Sequence, residues 1–342
     1  MKAFFLKNKK IIYALIIPYF LFLFMLTYKI EYSVTTPGNI TNVDGTLKVN
    51  DGKEINGSIS STYVGDLTRI TFFQFICGYF NKYAELSVIP EEYQNLTNDE
   101  IYEIGVIDHN SSIDFSIISA YKALGFVDLI GEEKIFVSMK YTDVISDKSF
   151  PVGAELLSVD GVSGYEAIST YLAGKKENDE VLFKVKHKNE IKEYMLKKVK
   201  DESGKLWFGI GLYVYKEVDK SAINIDVYET SVTGPSGGLL QSLYIYASLC
   251  DEDIIKGHKI AGTGTIDSEG NVGAIGGVKQ KIATAYLSDV DVFFIPADDG
   301  YYDNYSEAIE FAKKTGILDK VNIVPVATLE EAIEYLRTFG VQ

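Results

Sequence analysis

Apolar and polar positions change their rhythm along this chain. From Ile11 to Tyr28 an uncharged run rich in Leu, Ile and Phe extends for eighteen residues, just enough to span a hydrocarbon core as a helix. Pro18 lies inside it and is compatible with a membrane helix whose freed backbone groups are re-satisfied locally. From about Thr35 to Val64 the chain turns to Thr, Ser, Gly and Asn, and Asn50-Asp51-Gly52 between short alternating stretches predicts a β-hairpin. Residues 69–83 then set Ile70, Phe72, Phe73, Phe75, Ile76, Tyr79 and Phe80 in an amphipathic helical pattern. Aromatic residues mostly bury, so a core-facing helix is expected, with lipid contact as the other reading. A second helix is expected from Ser112 to Leu124, before Gly125.

Residues 133–199 read as short strands around one helix, Tyr165 to Ala173, with a strand from Glu180 to Lys186. Further on, Ile223 to Val227 reads as a strand. The polar turn Thr230 to Gly238 follows it, and then Leu239, Leu243, Tyr246, Ala247 and Cys250 recur at helical spacing. A strand pair joined through Ser268-Glu269-Gly270 leads into Gly276-Gly277 and another helix with the apolar stripe Val278, Ile282, Ala285. Val292 to Ile295 and Val321 to Val326 are expected strands. Thr328 with Glu331 forms a capping box before a helix ending near Gly340.

The chain has 342 residues, 46% hydrophobic and 24% charged, enough for about two compact domains. Its formal charge is −15. Lys2, Lys7, Lys9 and Lys10 face no acid before residue 29, so the rest is more negative still. Such a body repels nucleic-acid phosphates and anionic headgroups, which excludes nucleic acid as an expected partner. The lysines precede the apolar run, so the amino terminus is expected in the cytoplasm and everything after Tyr28 outside, as a single-pass protein of the cell membrane. Thr27 to Val34 offers no small-x-small cleavage site, which favours an uncleaved anchor over a signal peptide. With two cysteines, Cys77 and Cys250, and three histidines, neither a disulfide scaffold nor a histidine-rich metal centre is expected. Cys250 fits the apolar helix face and reads as a buried thiol.

The candidate chemistry lies after Gly204. Ser236 sits where a turn feeds a helix amino terminus, whose free amides and partial positive charge suit an oxyanion; a plain helix cap is the bland alternative. Lys279 falls in the first turn of the later helix, where the dipole disfavours its charge. A useful base at neutral pH needs its pKa lowered by about 3 units, roughly 4 kcal/mol. Lys279 and Lys281 flank opposite sides of the Val278, Ile282, Ala285 stripe, so periodicity does not choose between them. A Ser-His-Asp triad is the rival, but His109, His187 and His258 lie in no evident catalytic context. Asp298 and Asp299 read as a polar loop after a strand.

Two resemblances add to this. Val152-Gly153-Ala154-Glu155-Leu156-Leu157-Ser158-Val159-Asp160-Gly161, with the helix and strand after it, resembles the PDZ domain. Ala154 replaces the usual aspartate, and there is no clear carboxylate-binding loop. Gly234-Pro235-Ser236-Gly237-Gly238, Gly262-Thr263-Gly264 and Ile275-Gly276-Gly277-Val278-Lys279-Gln280-Lys281 together resemble the proteolytic domain of Lon proteases. That resemblance implies Ser236 as nucleophile and Lys279, rather than Lys281, as its base. Backbone amides of Ser236 and Gly237 are expected to form the oxyanion site, with Thr263 as an auxiliary that orients the lysine. Lon-type domains often assemble as rings, so a homo-oligomer is an expected partner state.

The expected fold is α+β and multidomain. It comprises cytoplasmic lysines and a transmembrane helix over 1–30, a β-rich connector with helices over 31–130, a PDZ-like domain over 131–200 and a Lon-type α/β proteolytic domain over 205–342. The arrangement resembles the membrane-anchored PDZ and Lon-like proteases of bacteria. The expected activity is serine endopeptidase with no cofactor, and ATP-independent because no Gly-x-x-x-x-Gly-Lys-Ser/Thr occurs. Extracytoplasmic peptides or exported proteins, docked on the PDZ-like domain, are the expected substrates. The alternative is a catalytically silent peptide-binding scaffold at the membrane.

Overall fold

A computed structural model of the chain describes residues 2–126, 129–219 and 223–340. Of the expected spans, Met1, 127–128, 220–222 and 341–342 fall outside the described residues, as do the side chains of Lys2 and Lys7. The elements in order are α1 (Lys2–Thr27), β1 (Tyr32–Asn42), β2 (Leu47–Val49), β3 (Ser58–Leu67), α2 (Phe72–Phe80), β4 (Glu85–Val88), α3 (Glu91–Gln94) and α4 (Asn98–Ala123). Next come β5 (Ile130–Lys140), β6 (Glu155–Val159), α5 (Tyr165–Ala173), β7 (Glu180–His187), β8 (Glu190–Lys197), β9 (Val199–Lys200), β10 (Leu206–Trp207) and β11 (Ile210–Val218). The chain finishes with β12 (Ile225–Val227), α6 (Gly238–Leu249), β13 (Lys259–Gly262), β14 (Thr265–Ile266), β15 (Val272–Gly273), α7 (Val278–Leu287), β16 (Val292–Pro296), α8 (Asn304–Thr315), β17 (Ile323–Val326) and α9 (Leu329–Thr338).

A six-stranded sheet runs in the order β17-β16-β13-β3-β1-β4. β3, β13, β16 and β17 pair in parallel, while β1 and β4 add antiparallel strands beyond β3. One face packs on α4, α6 and α9 through Ile117, Leu239, Leu243 and Ile333; the other packs on α7 and α8 through Ile282, Phe293 and Phe311. Coverage of both faces explains why Phe293, Phe294 and Ile295 of β16 read as a continuous apolar run. The 31–130 stretch is therefore not a separate connector, since β1, β3 and β4 complete the same sheet as the carboxy-terminal strands. Asn50-Asp51-Gly52 closes no hairpin either: β2 before it pairs with β12, and the Asn50 side chain donates to Asn224. Tertiary pairing wins over the local turn signal.

The second sheet, in the order β11-β5-β6-β7-β8, is antiparallel and encloses its own core of Phe150, Val159, Ile168, Phe183 and Leu196, with α5 alongside. The expected boundaries at 200 and 205 are displaced, because β11 pairs along most of β5 and extends this sheet to Val218. α4 links the two sheets. It begins at Asn98, well before the expected Ser112, with a capping box of Thr97 and Glu100. From Asn98 to Asn110 only Ile107 is buried, so hydrophobic periodicity gives little sign of this half; further along, the seam is polar, with Ser111, Ser112, Ser116 and Ser119 all buried.

α1 is one uninterrupted helix through Pro18, and among the described residues of its apolar window Lys9–Thr27 none is buried in the protein. A helix of this length and composition is a membrane span or a signal sequence. α2 departs from the expected core-facing role: Gly78 and Phe75 turn toward the sheet and Ile76 is half-buried, but Phe72, Phe73, Tyr79 and Phe80 are exposed. Cys77 on α2 is exposed and Cys250 half-buried; both are free thiols.

Candidate active site

The turn that carries Ser236 is held by α4. Gly105 accepts the Gly234 N–H at 2.8 Å, Ser112 Oγ donates to Pro235 O at 2.9 Å, and Ser116 Oγ donates to Gly238 O at 3.0 Å. From the other side Gly264 N–H donates to Ser236 O at 2.8 Å, and Thr263 Oγ1 donates to the same carbonyl at 3.1 Å. Ser236 is thereby fixed at the mouth of α6, whose first residues, Gly238 to Leu240, are buried. An amino-terminal helix end presents free amides and a partial positive charge to whatever lies there.

α7 brings the amine. Gly277 caps it in the left-handed conformation, at φ 67°. A Cβ there would come within 2.8 Å of Val64 on β3, so only glycine allows both the turn and the close approach. The helix then packs against β1 and β3 and turns Lys281 inward. Lys281 is 3% exposed. Its Nζ lies 2.9 Å from Ser236 Oγ and 2.9 Å from Thr263 Oγ1. Burial pushes its pKa down to about 7.

The resemblance implies Lys279 as the base, but the lysine that meets Ser236 in the structure is Lys281, not Lys279. Lys279 Nζ pairs with Glu85 at 2.9 Å and Glu307 at 3.3 Å, and its side chain is 39% exposed. Hydrogen bonding to Glu85, followed by the charges around it, raises its pKa, the reverse of what a base at neutral pH needs. The helix dipole that marked this position is outweighed by two carboxylates brought from β4 and α8. Residues two apart on a helix project about 200° apart, so the flank that faces Ser236 is decided by how α7 lies on the sheet.

The other expected residues sort as follows. Thr263 is fully buried, donates its N–H to Phe294 O at 2.9 Å, and meets the Lys281 amine. Gly237 lies beside Ser236 at the cap of α6. His187 pairs with Glu103 at 2.8 Å, and His258 lies 3.5 Å from Asp291. Asp298 and Asp299 accept backbone amides of their own loop and of α8, as a polar loop does.

Ser236 and Lys281 open on a cleft of about 400 Å³. Ser61, Tyr63, Asp66, His109, Thr233 and Gln241 are among its lining residues. In the sequence nothing marks Asp66, and His109 enters only as a triad candidate with no evident catalytic context. Burial raises the Asp66 carboxyl and lowers the His109 imidazole, so both are shifted toward their neutral forms. Neither sits in a motif; pairing of β1 with β3 and the run of α4 bring them to the cleft.

Residues 208–338 match the Lon protease (S16) C-terminal proteolytic domain. Among curated relatives, the Lon protease of Mesomycoplasma hyopneumoniae is 28% identical over 145 residues, 42% of this chain and 14% of that protein. The Lon protease of Clostridium acetobutylicum is 37% identical over 91 residues, 26% of this chain and 11% of that protein. The chain thus spans only a small part of the length of these relatives. The PDZ domain of the SdrC-like protein of Listeria innocua is a structural neighbour at 26% identity, covering 23% of this chain and 93% of that one, with a TM-score of 0.22. A score so low carries no argument about the fold. The family match starts inside the second sheet, just before β11, and takes in Ser236, Thr263 and Lys281. Over residues 208–338, then, this chain is similar to the C-terminal proteolytic domain of Lon proteases, which are serine peptidases of family S16.

Proposed function

We propose that this chain is a serine endopeptidase that cleaves peptides through Ser236 and Lys281, without nucleotide, at the outer surface of a membrane anchored by α1. The observation that carries the reading is the 2.9 Å contact between Ser236 Oγ and a buried lysine amine whose pKa is brought to about 7. The neutral Lys281 amine accepts the Ser236 hydroxyl proton as Oγ attacks the substrate carbonyl. The backbone N–H groups of Ser236 and Gly237 are assigned to the developing oxyanion, helped by the positive end of α6. Lys281 then gives its proton to the leaving amine, and the same base activates the water that releases the acyl group. Thr263 holds the Lys281 amine in line by accepting one of its hydrogens.

The open cleft suits extended segments better than folded domains. Extracytoplasmic peptides or flexible parts of exported proteins are the proposed substrates, and the second sheet with α5 is the proposed docking body for them. Assembly into a homo-oligomer fits the same reading. The test is hydrolysis of a fluorogenic peptide library by the full chain. Ser236→Ala and Lys281→Ala should each abolish turnover while peptide capture persists. Undiminished cleavage by both variants would sink the proposal.

A further inference from the structure

α2 carries no charged side chain, and its one amide side chain, Gln74, is used to accept the Thr71 N–H at the helix cap. Its inner side is settled by Gly78, where a Cβ would come within 3.0 Å of Val34 and 3.1 Å of Leu86, and by Phe75, whose ring meets Tyr32 edge-on. The opposite side is a stripe of Phe72, Phe73, Tyr79 and Phe80, exposed by 41%, 36%, 72% and 80%. That stripe is continuous with α1: Phe22 of α1 meets Phe73 at 5.8 Å between ring centres. The backbone fixes the level as well. Phe72 N–H donates to Tyr28 O, Ile30 N–H donates to Ile70 O, and Lys29 bridges to Thr71, so α2 starts at the height where α1 ends.

We infer that α2 is an interfacial helix that lies in the headgroup region of the bilayer crossed by α1, with Phe72, Phe73, Tyr79 and Phe80 turned into the lipid. The inference rests on α1 being a membrane span. The end of a spanning helix is the level where a tyrosine ring such as that of Tyr79 partitions best, and where the apolar face of an in-plane helix, here Phe72, Phe73 and Phe80, buries at the acyl boundary. The occupant is a neutral lipid surface rather than an anionic one, because the helix is uncharged while the body beyond it is strongly acidic. Docking at this level would hold the Ser236 cleft at a set height and orientation above the membrane, which favours substrates presented close to the lipid.

The test uses the full chain in phosphatidylcholine vesicles with a nitroxide on Cys77, which is exposed on α2, and Cys250→Ala to remove the second thiol. Collisions of the label with oxygen, relative to a water-soluble nickel chelate, should exceed those of a label on Tyr301→Cys, at a fully exposed loop, in a background with both native cysteines replaced. Substituting Ser at Phe72, Phe73, Tyr79 and Phe80 together should remove the excess. A Cys77 label with the aqueous ratio of the loop label would overturn the inference, as would an excess that survives the four substitutions. Protection from both reagents that grows with protein concentration would overturn it in favour of a second copy. Resistance of the vesicle-bound chain to alkaline carbonate reports on α1 separately, so loss of the anchor reading is told apart from loss of this one.

Discussion

Lys279 and Lys281 stand two positions apart on α7 in opposite electrostatic settings, and the difference gives two predictions. With a pKa of about 7, the Lys281 amine is close to half neutral at pH 7. On the proposed chemistry kcat/KM should climb as pH rises through about 7 and level off above it; a profile flat from pH 6 to 9 would argue against a base that titrates there. The same burial weighs on stability. Folded Lys281 holds its proton less tightly than the unfolded chain does, so stability rises with pH between about 7 and the ordinary lysine value near 10.5. Below about 7 both states are protonated, and the cost of the buried charge, of the order of a few kcal/mol, is fully present. Lys281→Met should therefore abolish cleavage yet raise Tm at pH 6, with the gain fading toward pH 10, as calorimetry at both pH values would show. Lys279→Gln should leave kcat/KM close to the parent and lose no more than about 1 kcal/mol, since its ion pairs are half-exposed. Residue types and motifs in the sequence pointed to Ser236, to Thr263 and to a lysine on this helix, but not to the lysine that faces the serine.

At the level of elements, α4 is the scaffold on which the Ser236 turn rests. Gly105 stands where α4 passes Thr233: a Cβ there would lie 2.9 Å from Thr233 Cβ, and its carbonyl already holds Gly234 N–H. Gly105→Ala should strengthen the helix by up to about 1 kcal/mol in isolation while pushing the 230–236 turn off its seat. The expected result is a fall in kcat/KM of about tenfold or more, because small misplacements of reacting groups are costly, with Tm unchanged or only slightly altered. Activity equal to the parent would show that the turn does not depend on this contact. α5, β7 and α9 appear close to where periodicity and capping placed them. The first half of α4 does not, because between Asn98 and Asn110 only Ile107 is buried and no continuous apolar stripe marks the helix there.

For the whole molecule, the consequence is that the part similar to the Lon proteolytic domain is completed by elements from the first half of the chain. β3 flanks β13, and α4 packs on α6, so residues 205–342 alone lack the strand and the helix that bury their core. Such a fragment would also strand Gln241 and Ser242, whose buried partners are Ser116 and Ser119. It should show no cooperative thermal transition by circular dichroism and no peptide hydrolysis. A fragment that melts sharply and cleaves peptides would refute this account of the core.

The sequence by itself determined the short-range features: an apolar run long enough to cross a membrane, helices and strands with regular spacing, a cap at Thr328, and a serine turn and a lysine helix in paired motifs. These depend on neighbours within a turn or two, which linear spacing records. Only the tertiary structure decided which strands share a sheet, that β11 belongs with β5, that the aromatic stripe of α2 faces outward, and that Lys281 rather than Lys279 meets Ser236. Each of those outcomes depends on how surfaces far apart in the chain dock and what they exclude from water. Burial of one amine and pairing of its near neighbour with two carboxylates from distant elements is a difference of environment, and linear spacing carries no record of it.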